Sequence, residues 1–337
     1  MSEKEPPRAL VTGGAGFIGS HLVDLLLDSG WTVSVLDNFS TGNPQNLSHI
    51  PVEDFILVEG SVTDKEAVDE AMRGADVVFH LAALADIVPS INDPMSYFDA
   101  NVSGTALVMD VAKRNGVRKV VYAASSSCYG LPTEYPTTEN AVIAPQYPYA
   151  LTKWLGEEIV RHWGDVYKIP WVSLRLFNVF GPRSRTSGTY GAVLGVFLAQ
   201  KLAGKAFTVV GDGNQSRDFT YVSDVARAFH HAAASSVQGQ VFNVGSGGTY
   251  SVNHLVNLLG GDKTHIPERP GEPRVTFADI GKISTLLGWA PQVSFEDGVE
   301  KVLSQIDYWR DAPVWEPDTI EQATADWFKF LGDEQEA

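Results

Sequence analysis

The chain has 337 residues, 44% of them hydrophobic and 20% charged, which is ordinary for a globular protein of one large or two modest domains. Its formal net charge of −16 argues against nucleic acid and anionic membranes as partners, although a few arginines can still hold a diphosphate locally. The single Cys128 excludes an internal disulfide. With no signal-peptide pattern and no run long enough to span a membrane, we predict a cytoplasmic protein.

Short β-branched runs alternate with amphipathic stretches through the first half of the chain. In chain order the pattern predicts strand 9–11, helix 16–28, strands 32–36, 55–58 and 76–79, helix 94–115, strand 119–123, helix 146–167 and strand 171–176. Strands that alternate with helices indicate βαβ units with right-handed crossovers. We therefore predict an α/β fold whose first domain, residues 1–177, is a doubly wound parallel sheet.

The rhythm changes after residue 183, where short strand-like and helix-like pieces alternate with glycine and proline. This change predicts a smaller C-terminal α/β substrate-binding domain over residues 178–337, some of whose strands and helices could return to the first domain. The eight histidines show no metal-ligand spacing, so no metal site is predicted.

A glycine-rich turn follows the first strand and opens the first helix. Gly13, Gly16 and Gly19 let the backbone turn sharply and approach a pyrophosphate, to which the helix N-terminus offers free N–H groups. Asp37 ends the second strand about 20 residues further on, where a carboxylate can hold an adenosine ribose and disfavours a 2′-phosphate. The alternative is a glycine-rich turn without a ligand. The strand–turn–helix context favours NAD bound to a Rossmann-type sheet.

The spacing of these glycines, with Thr12 before them, resembles the extended short-chain dehydrogenase/reductase family. Segments 36–38 and 80–83 match the family in order, and the resemblance runs from about residue 8 to about residue 310. One departure is Ser61, where the family often has an Asp near the adenine. The resemblance implies that NAD is contacted by Gly13, Gly16, Phe17, Ile18, Gly19, Asp37, Asn38, Ser40, Gly42, Ser61, Val62, Leu81, Ala82, Ala83, Asn101 and Lys153.

Tyr149 and Lys153 lie four residues apart near the start of the helix predicted over 146–167, so their side chains share one face. A phenol titrates near pH 10, and a neighbouring ammonium is expected to draw its pKa down toward neutrality. Aligned with the family, Ser125 is the hydroxyl that bonds the substrate oxygen and passes a proton to Tyr149. The alternative for part of this serine run is a turn that satisfies its own backbone.

Ser126 and Ser127 discriminate between the reactions of the family. Sugar 4,6-dehydratases carry an Asp-Glu pair at these positions, and decarboxylating relatives tend to have Glu at the second. Two hydroxyls cannot supply that acid and base, so the resemblance favours a 4-epimerase. Both serines are candidates for contacting the substrate.

Four residues of the second half are predicted to bind the nucleotide sugar. The resemblance places Asn178 beside a nucleoside diphosphate and gives Arg217 and Arg269 to its phosphates, which guanidinium groups bind bidentately. Surface ion pairing is the alternative for such arginines, and it is favoured for Arg183 and Arg274. Thr276 occupies a position that gates the sugar's 2-position in the family, and its small size would admit N-acetylhexosamines.

These features imply NAD-dependent 4-epimerisation of a UDP-hexose, either the glucose/galactose or the N-acetylhexosamine pair, through a 4-keto intermediate. The alternatives are another reaction on a nucleotide sugar with recycled NAD, namely hexuronate epimerisation, dehydration or decarboxylation, and more remotely a non-catalytic NAD-binding regulator. The resemblance also implies a homodimer formed through the helices at about 94–115 and 146–168.

Overall fold

The computed structural model describes residues 6–184 and 193–332. Within these residues the strands are β1 (Arg8–Thr12), β2 (Thr32–Asp37), β3 (Phe55–Glu59), β4 (Val77–His80), β5 (Lys119–Ser125), β6 (Trp171–Leu176), β7 (Asn178–Phe180), β8 (Phe207–Val210), β9 (Ser216–Arg217), β10 (Phe219–Tyr221), β11 (Gln240–Val244), β12 (Tyr250–Ser251) and β13 (Lys263–Ile266). The helices are α1 (Phe17–Asp28), α2 (Lys65–Ala71), α3 (Ile87–Asn92), α4 (Pro94–Phe98), α5 (Gly104–Asn115), α6 (Pro148–Tyr167), α7 (Val193–Leu202), α8 (Val222–Ala234), α9 (Val252–Leu259), α10 (Gly281–Leu287), α11 (Phe295–Leu303) and α12 (Pro317–Leu331).

Seven parallel strands form the central sheet in the order β11-β6-β5-β4-β1-β2-β3. The chain passes from β1 to β2 and β3 on one side, then returns to β4, β5 and β6 on the other. The connections leaving β1 and β4 therefore diverge at a topological switch point, which is where such sheets bind their ligands. The predicted doubly wound parallel sheet is confirmed, and each of the six predicted strands lies in it.

The second half of the chain completes this sheet. Strand β11 pairs with β6, with Phe242 opposite Leu174. Helix α8 lies beside α1, and Val225 and Phe229 share a buried apolar core with Leu22. Part of the segment after residue 178 therefore packs as an integral layer of the N-terminal fold.

Two helices differ from the sequence pattern for local reasons. The predicted helix over 94–115 contains a π-helical stretch, Asp99–Ser103, which turns Asn101 toward the loop after β4. The helix predicted from residue 146 begins at Pro148, because proline suits the first helical position and keeps the preceding Tyr147 extended.

The other C-terminal strands form two-stranded pairs around a second apolar core, in which Phe219 stacks on Phe295 with ring centroids 4.8 Å apart. Strand β7 follows β6 directly and pairs with β10, so Asn178 and the strand that follows Arg217 lie at the carboxyl edge of the main sheet. None of the described helices has the length and apolar character needed to cross a membrane.

Candidate active site

A cavity of about 360 Å³ opens at the carboxyl ends of β1, β2 and β4. Most of the residues predicted to contact the cofactor line it. They are Gly13, Gly16, Phe17, Ile18, Gly19, Asp37, Asn38, Ser40, Ser61, Val62, Leu81, Ala82 and Ala83.

The glycine-rich turn is too tightly packed for side chains. Gly13 has a φ of +72°, and a Cβ there would lie 2.8 Å from the backbone nitrogen of Ala82. A Cβ on Gly19 would lie 2.0 Å from the carbonyl oxygen of Gly13. The N-cap of α1, Gly16, has no side chain to occupy the first N–H groups of the helix. This backbone is therefore shaped for close approach of a phosphate group.

Asp37 is fixed at the end of β2 by two backbone donors. Ala15 donates to one carboxylate oxygen and Phe39 to the other, each at 2.9 Å. Burial raises the pKa of Asp37, and these two hydrogen bonds oppose that rise. Gly42, also predicted to contact the cofactor, lies behind this carboxylate, since a Cβ on it would be 2.7 Å from Asp37 Oδ1. The absence of a side chain at Gly42 thus leaves space for the Asp37 carboxylate. Gly42 itself does not line the cavity.

Asn101, another predicted cofactor contact, is buried outside the cavity wall. Its side chain accepts from the N–H of Leu84 at 2.8 Å and donates to the Leu84 carbonyl at 3.0 Å and to Thr152 Oγ1 at 3.0 Å. Leu84 itself lines the cofactor cavity. Asn101 therefore shapes the cavity through Leu84 by joining the loop after β4 to α6.

His80 was not predicted as a site residue, yet it ties this region together. Its Nδ1 lies 2.7 Å from Thr12 Oγ1 and its Nε2 lies 3.0 Å from Thr105 Oγ1. Because Thr105 donates its own hydrogen to the Asn101 carbonyl, His80 Nε2 must donate and Nδ1 must accept. Burial, followed by the charge of Lys153, lowers the pKa of His80 to about 3. His80 is thus a neutral structural residue.

A second cavity, of about 530 Å³, shares a wall with the first through Phe17, Ile18 and Leu81. Ser125, Tyr149 and Lys153 all line it. The sequence prediction that these three side chains meet at the carboxyl edge of the sheet therefore agrees with the geometry. Lys153 lines this second cavity and not the cofactor cavity.

The phenol of Tyr149 is hydrogen-bonded to Ser125, and the rings of Tyr97 and Tyr147 lie beside its ring with centroids 6.4 and 6.5 Å away. Burial raises the pKa of Tyr149, and a side-chain hydrogen bond with Ser125 opposes that rise. The expected lowering of the Tyr149 pKa by Lys153 is not found: the group that lowers it is Ser125, and desolvation outweighs this hydrogen bond. Ser125 also accepts from the N–H of Ser127 at 3.2 Å, so it satisfies its own turn while reaching the phenol.

Lys153 is nearly fully buried, with its Nζ 4.5 Å from the centroid of the Tyr122 ring. Burial lowers the pKa of Lys153 to about 7, and the charge of Glu157 opposes this lowering. Glu157 lies one turn further along α6, and both of its carboxylate oxygens accept from one edge of the Arg175 guanidinium, Oε2 from Nε at 3.0 Å and Oε1 from Nη2 at 2.6 Å. This buried ion pair was missed from the sequence, because only the fold brings α6 and β6 together.

Asp86 is a further residue of the candidate site, and no sequence pattern singled it out. It lies between β4 and α3 with a φ of +80° and lines both cavities. A non-glycine residue at positive φ is strained, and such strain is concentrated at functional sites. The charge of Asp86 contributes to the raised pKa of Tyr149.

The residues predicted to bind the nucleotide sugar line the second cavity together: Ser126, Ser127, Asn178, Arg217, Arg269 and Thr276. Thr276 Oγ1 donates to Asn178 Oδ1 at 2.8 Å and accepts from the backbone N–H of Asp218 at 3.0 Å. The hydroxyl of Thr276 is thus hydrogen-bonded within the protein, and its side chain is a small one among those that line the cavity.

Two arginines face one carboxylate in this cavity. Glu272 Oε1 lies 3.0 Å from Arg217 Nη2, and its Oε2 lies 3.9 Å from Arg269 Nη1. Arg183 and Arg274 instead form outward ion pairs with Asp24 and Asp212, each at 2.8 Å. The arginines predicted for a diphosphate are therefore the ones that converge on the cavity.

Comparison with known proteins identifies the family behind this geometry. The profile described as NAD dependent epimerase/dehydratase family matches residues 9–245, more than half of the chain. The chain belongs to this family. A putative UDP-glucose 4-epimerase of Methanocaldococcus jannaschii is 36% identical over 304 residues, covering 88% of this chain and 97% of that protein.

Other relatives show the range of chemistry within the epimerase/dehydratase family. The crystal structure of UDP-glucuronic acid 4-epimerase from Bacillus cereus in complex with UDP-glucuronic acid and NAD has a TM-score of 0.83 at 32% identity, covering 90% of this chain and 99% of that one. UDP-glucuronic acid decarboxylase 1 of Xenopus tropicalis is 33% identical over 315 residues, covering 90% of this chain and 73% of that protein. The predicted fold, family and NAD cofactor are confirmed.

Proposed function

We propose that this protein is a 4-epimerase of a UDP-hexose. The observation that carries the proposal is the pairing of Tyr149, Ser125 and Lys153 in one cavity with hydroxyl side chains at 126 and 127. The carboxylates that line this cavity are Asp86 and Glu272, and Glu272 is already bound by Arg217. Serines at 126 and 127 favour oxidation and re-reduction of a carbinol over elimination of water.

Each of these residues has a separate role in the proposed reaction. Tyr149 takes the proton of the 4-hydroxyl, directly or through Ser125, and returns it in the second half of the cycle. Lys153 supplies positive charge behind the phenolate. NAD held in the first cavity would supply the hydride acceptor for oxidation at C4 and, once reduced, the hydride donor for the return step. The 4-keto sugar turns about its diphosphate, which Arg217 and Arg269 hold, and is reduced on its other face.

The size of the pocket bears on which UDP-hexose is used. Thr276 lines the second cavity and is itself small, and its hydroxyl is bonded to Asn178. We therefore propose that the enzyme accepts UDP-N-acetylhexosamines as well as UDP-glucose and UDP-galactose. Turnover of UDP-glucose with none of UDP-N-acetylglucosamine would contradict this part of the proposal.

A second candidate is a reaction on a UDP-hexuronate, which the similarity to a hexuronate epimerase and a decarboxylase supports. The two candidates differ in substrate charge and in product mass. A hexuronate epimerase would turn over UDP-glucuronic acid and leave its mass unchanged, whereas a decarboxylase would release CO₂.

The direct experiment is to denature the purified protein, assay the NAD that is released, and incubate the native protein with a panel of UDP-sugars. We expect bound NAD and a product isobaric with the substrate. The Tyr149→Phe variant is expected to keep its NAD and lose turnover by about 100-fold or more, because it removes the proton acceptor. Tyr167→Phe, at the exposed end of α6, is the matched control. Full activity of Tyr149→Phe would overturn the mechanism.

A further inference from the structure

The last helix, α12, lies beyond the residues that the family profile matches, yet it reaches the active site. Pro317 occupies its first turn, where proline is favoured, and the N–H of Glu316 is capped by Thr319 Oγ1 at 2.9 Å. Ile320, Thr324 and Trp327 are buried along one face. This spacing places the three side chains on the face of α12 that packs against the rest of the protein, so Trp327 points inward.

Trp327 makes two contacts with the loop that follows β13. Its indole N–H donates to the Pro270 carbonyl at 2.7 Å, and its ring lies 5.5 Å from the guanidinium carbon of Arg269. The ring is 3% exposed and lines the substrate cavity. A cation within about 6 Å of an indole face is attracted to it, most strongly when both are shielded from water.

The loop that Trp327 touches carries one side of the nucleotide-sugar site. It has neither helix nor strand from residue 267 to residue 274, and Gly271 turns it at a φ of +70°. Arg269 and Glu272 project from this loop into the cavity beside Arg217. Because no helix or strand holds the loop, its contacts with neighbouring elements determine the positions of these side chains.

We propose that Trp327 is a positioning residue of the diphosphate clamp, and that α12 extends the nucleotide-sugar site. The indole holds the 269–272 loop by the bond to Pro270 and orients Arg269 by its ring face. The inference rests on the proposed binding of a UDP-sugar. Because Trp327 is placed beside the arginines and not beside Tyr149, it acts on binding of the nucleotide and leaves the chemical step intact.

The test compares UDP binding by calorimetry, together with KM and kcat, in the NAD-loaded full-length protein and its variants. Trp327→Ala is expected to weaken UDP binding and raise KM by about tenfold or more, with kcat within about twofold. Trp327→Phe keeps an aromatic face but loses the N–H donor, so we expect an intermediate loss. Phe328→Ala is the matched control, since Phe328 is on the same helix and 38% exposed.

Thermal unfolding of each variant separates positioning from folding. Unchanged UDP affinity in a folded Trp327→Ala protein would overturn the inference. If the alanine variant does not fold, unchanged affinity in Trp327→Phe would overturn it equally, and a loss of about threefold or more would support it. Failure of the unaltered protein to bind UDP would overturn the proposed function, and this inference with it.

Discussion

The pKa of Tyr149 depends on the charges around its phenol, and Asp86 carries one of them. Substitution of Asp86 by Asn removes this charge and keeps the shape of the side chain. Its carboxylate contributes to the raised pKa of Tyr149. Asp86→Asn is therefore expected to lower this pKa and move the acidic limb of the kcat/KM profile to lower pH. Asparagine tolerates positive φ well, so the backbone at this position need not change.

The measurement for Asp86 is the pH dependence of kcat/KM, with bound NAD assayed in the same samples. Asp54→Asn, which removes an acidic charge from an exposed loop, serves as the control and should leave the profile in place. An acidic limb that does not move in Asp86→Asn, with NAD retained, would mean that this carboxylate does not act on the phenol.

Lys153 should reduce the stability of the protein while serving catalysis. Burial lowers its pKa from 10.5 to about 7, so the unfolded chain binds more protons than the folded protein between these values. The cost in stability is therefore full below about pH 7 and fades as the pH rises toward 10.5. We expect Lys153→Met to abolish turnover and to raise Tm by several degrees near neutral pH.

This gain in Tm should shrink steadily as the pH is raised. The remaining Glu157 stays compensated because Arg175 binds both of its oxygens. Lys65→Met, which removes an exposed lysine at the start of α2, is expected to change Tm little at any pH. A fall in Tm on Lys153→Met, or a gain independent of pH, would contradict the assignment.

At the level of elements, the β1–α1 turn depends on the absence of side chains. Gly19→Ala places a methyl group 2.0 Å from the Gly13 carbonyl, so the turn must shift. Overpacking of this kind costs about 1–3 kcal/mol, and we expect NAD affinity to fall by about tenfold or more. Gly248→Ala, whose new methyl would meet its nearest atom at 3.4 Å, is the control. Normal NAD content in Gly19→Ala would contradict the proposed role of the turn.

The elements show what sequence periodicity can and cannot reveal. The parallel strands and the glycine turn were predictable because burial on both faces and a phosphate-binding backbone impose local patterns. The π-helical stretch around Asn101 was not, because it is set by hydrogen bonds to Leu84 and Thr152, which are distant in the sequence. For the same reason the roles of His80 and Asp86 could not be predicted, because both depend on residues that only the fold brings close to the end of β4.

For the molecule as a whole, we propose a homodimer formed through α4, α5 and α6. Exposed apolar side chains on α4 and α6 support this interface: Met95 is 70%, Phe98 42% and Leu151 46% exposed. Phe98→Glu is expected to shift the mass in solution, measured by light scattering, from dimer toward monomer. Phe330→Glu, which changes a 61% exposed ring on α12, is the control. A monomeric unaltered protein would contradict the proposal.

The packing of the C-terminal helix could not be predicted from the sequence. The aromatic residues near the chain end matched no pattern, and their packing depends on a loop more than 50 positions earlier, as the bond from Trp327 to Pro270 shows. By contrast, Arg217 and Arg269 were predicted, because the family resemblance places arginines there and guanidinium groups bind phosphate oxygens bidentately. The chemistry of a site is therefore easier to predict than the scaffold that holds it.

Inversion at C4 on recycled NAD can be followed with UDP-glucose and UDP-N-acetylglucosamine that carry deuterium at C4. We predict that the protein converts at least one of them to its 4-epimer without added NAD, with the mass unchanged and the deuterium still at C4. A product lighter by water, deuterium lost to the solvent, or no product from NAD-loaded protein would show that the protein does not invert C4 in this way.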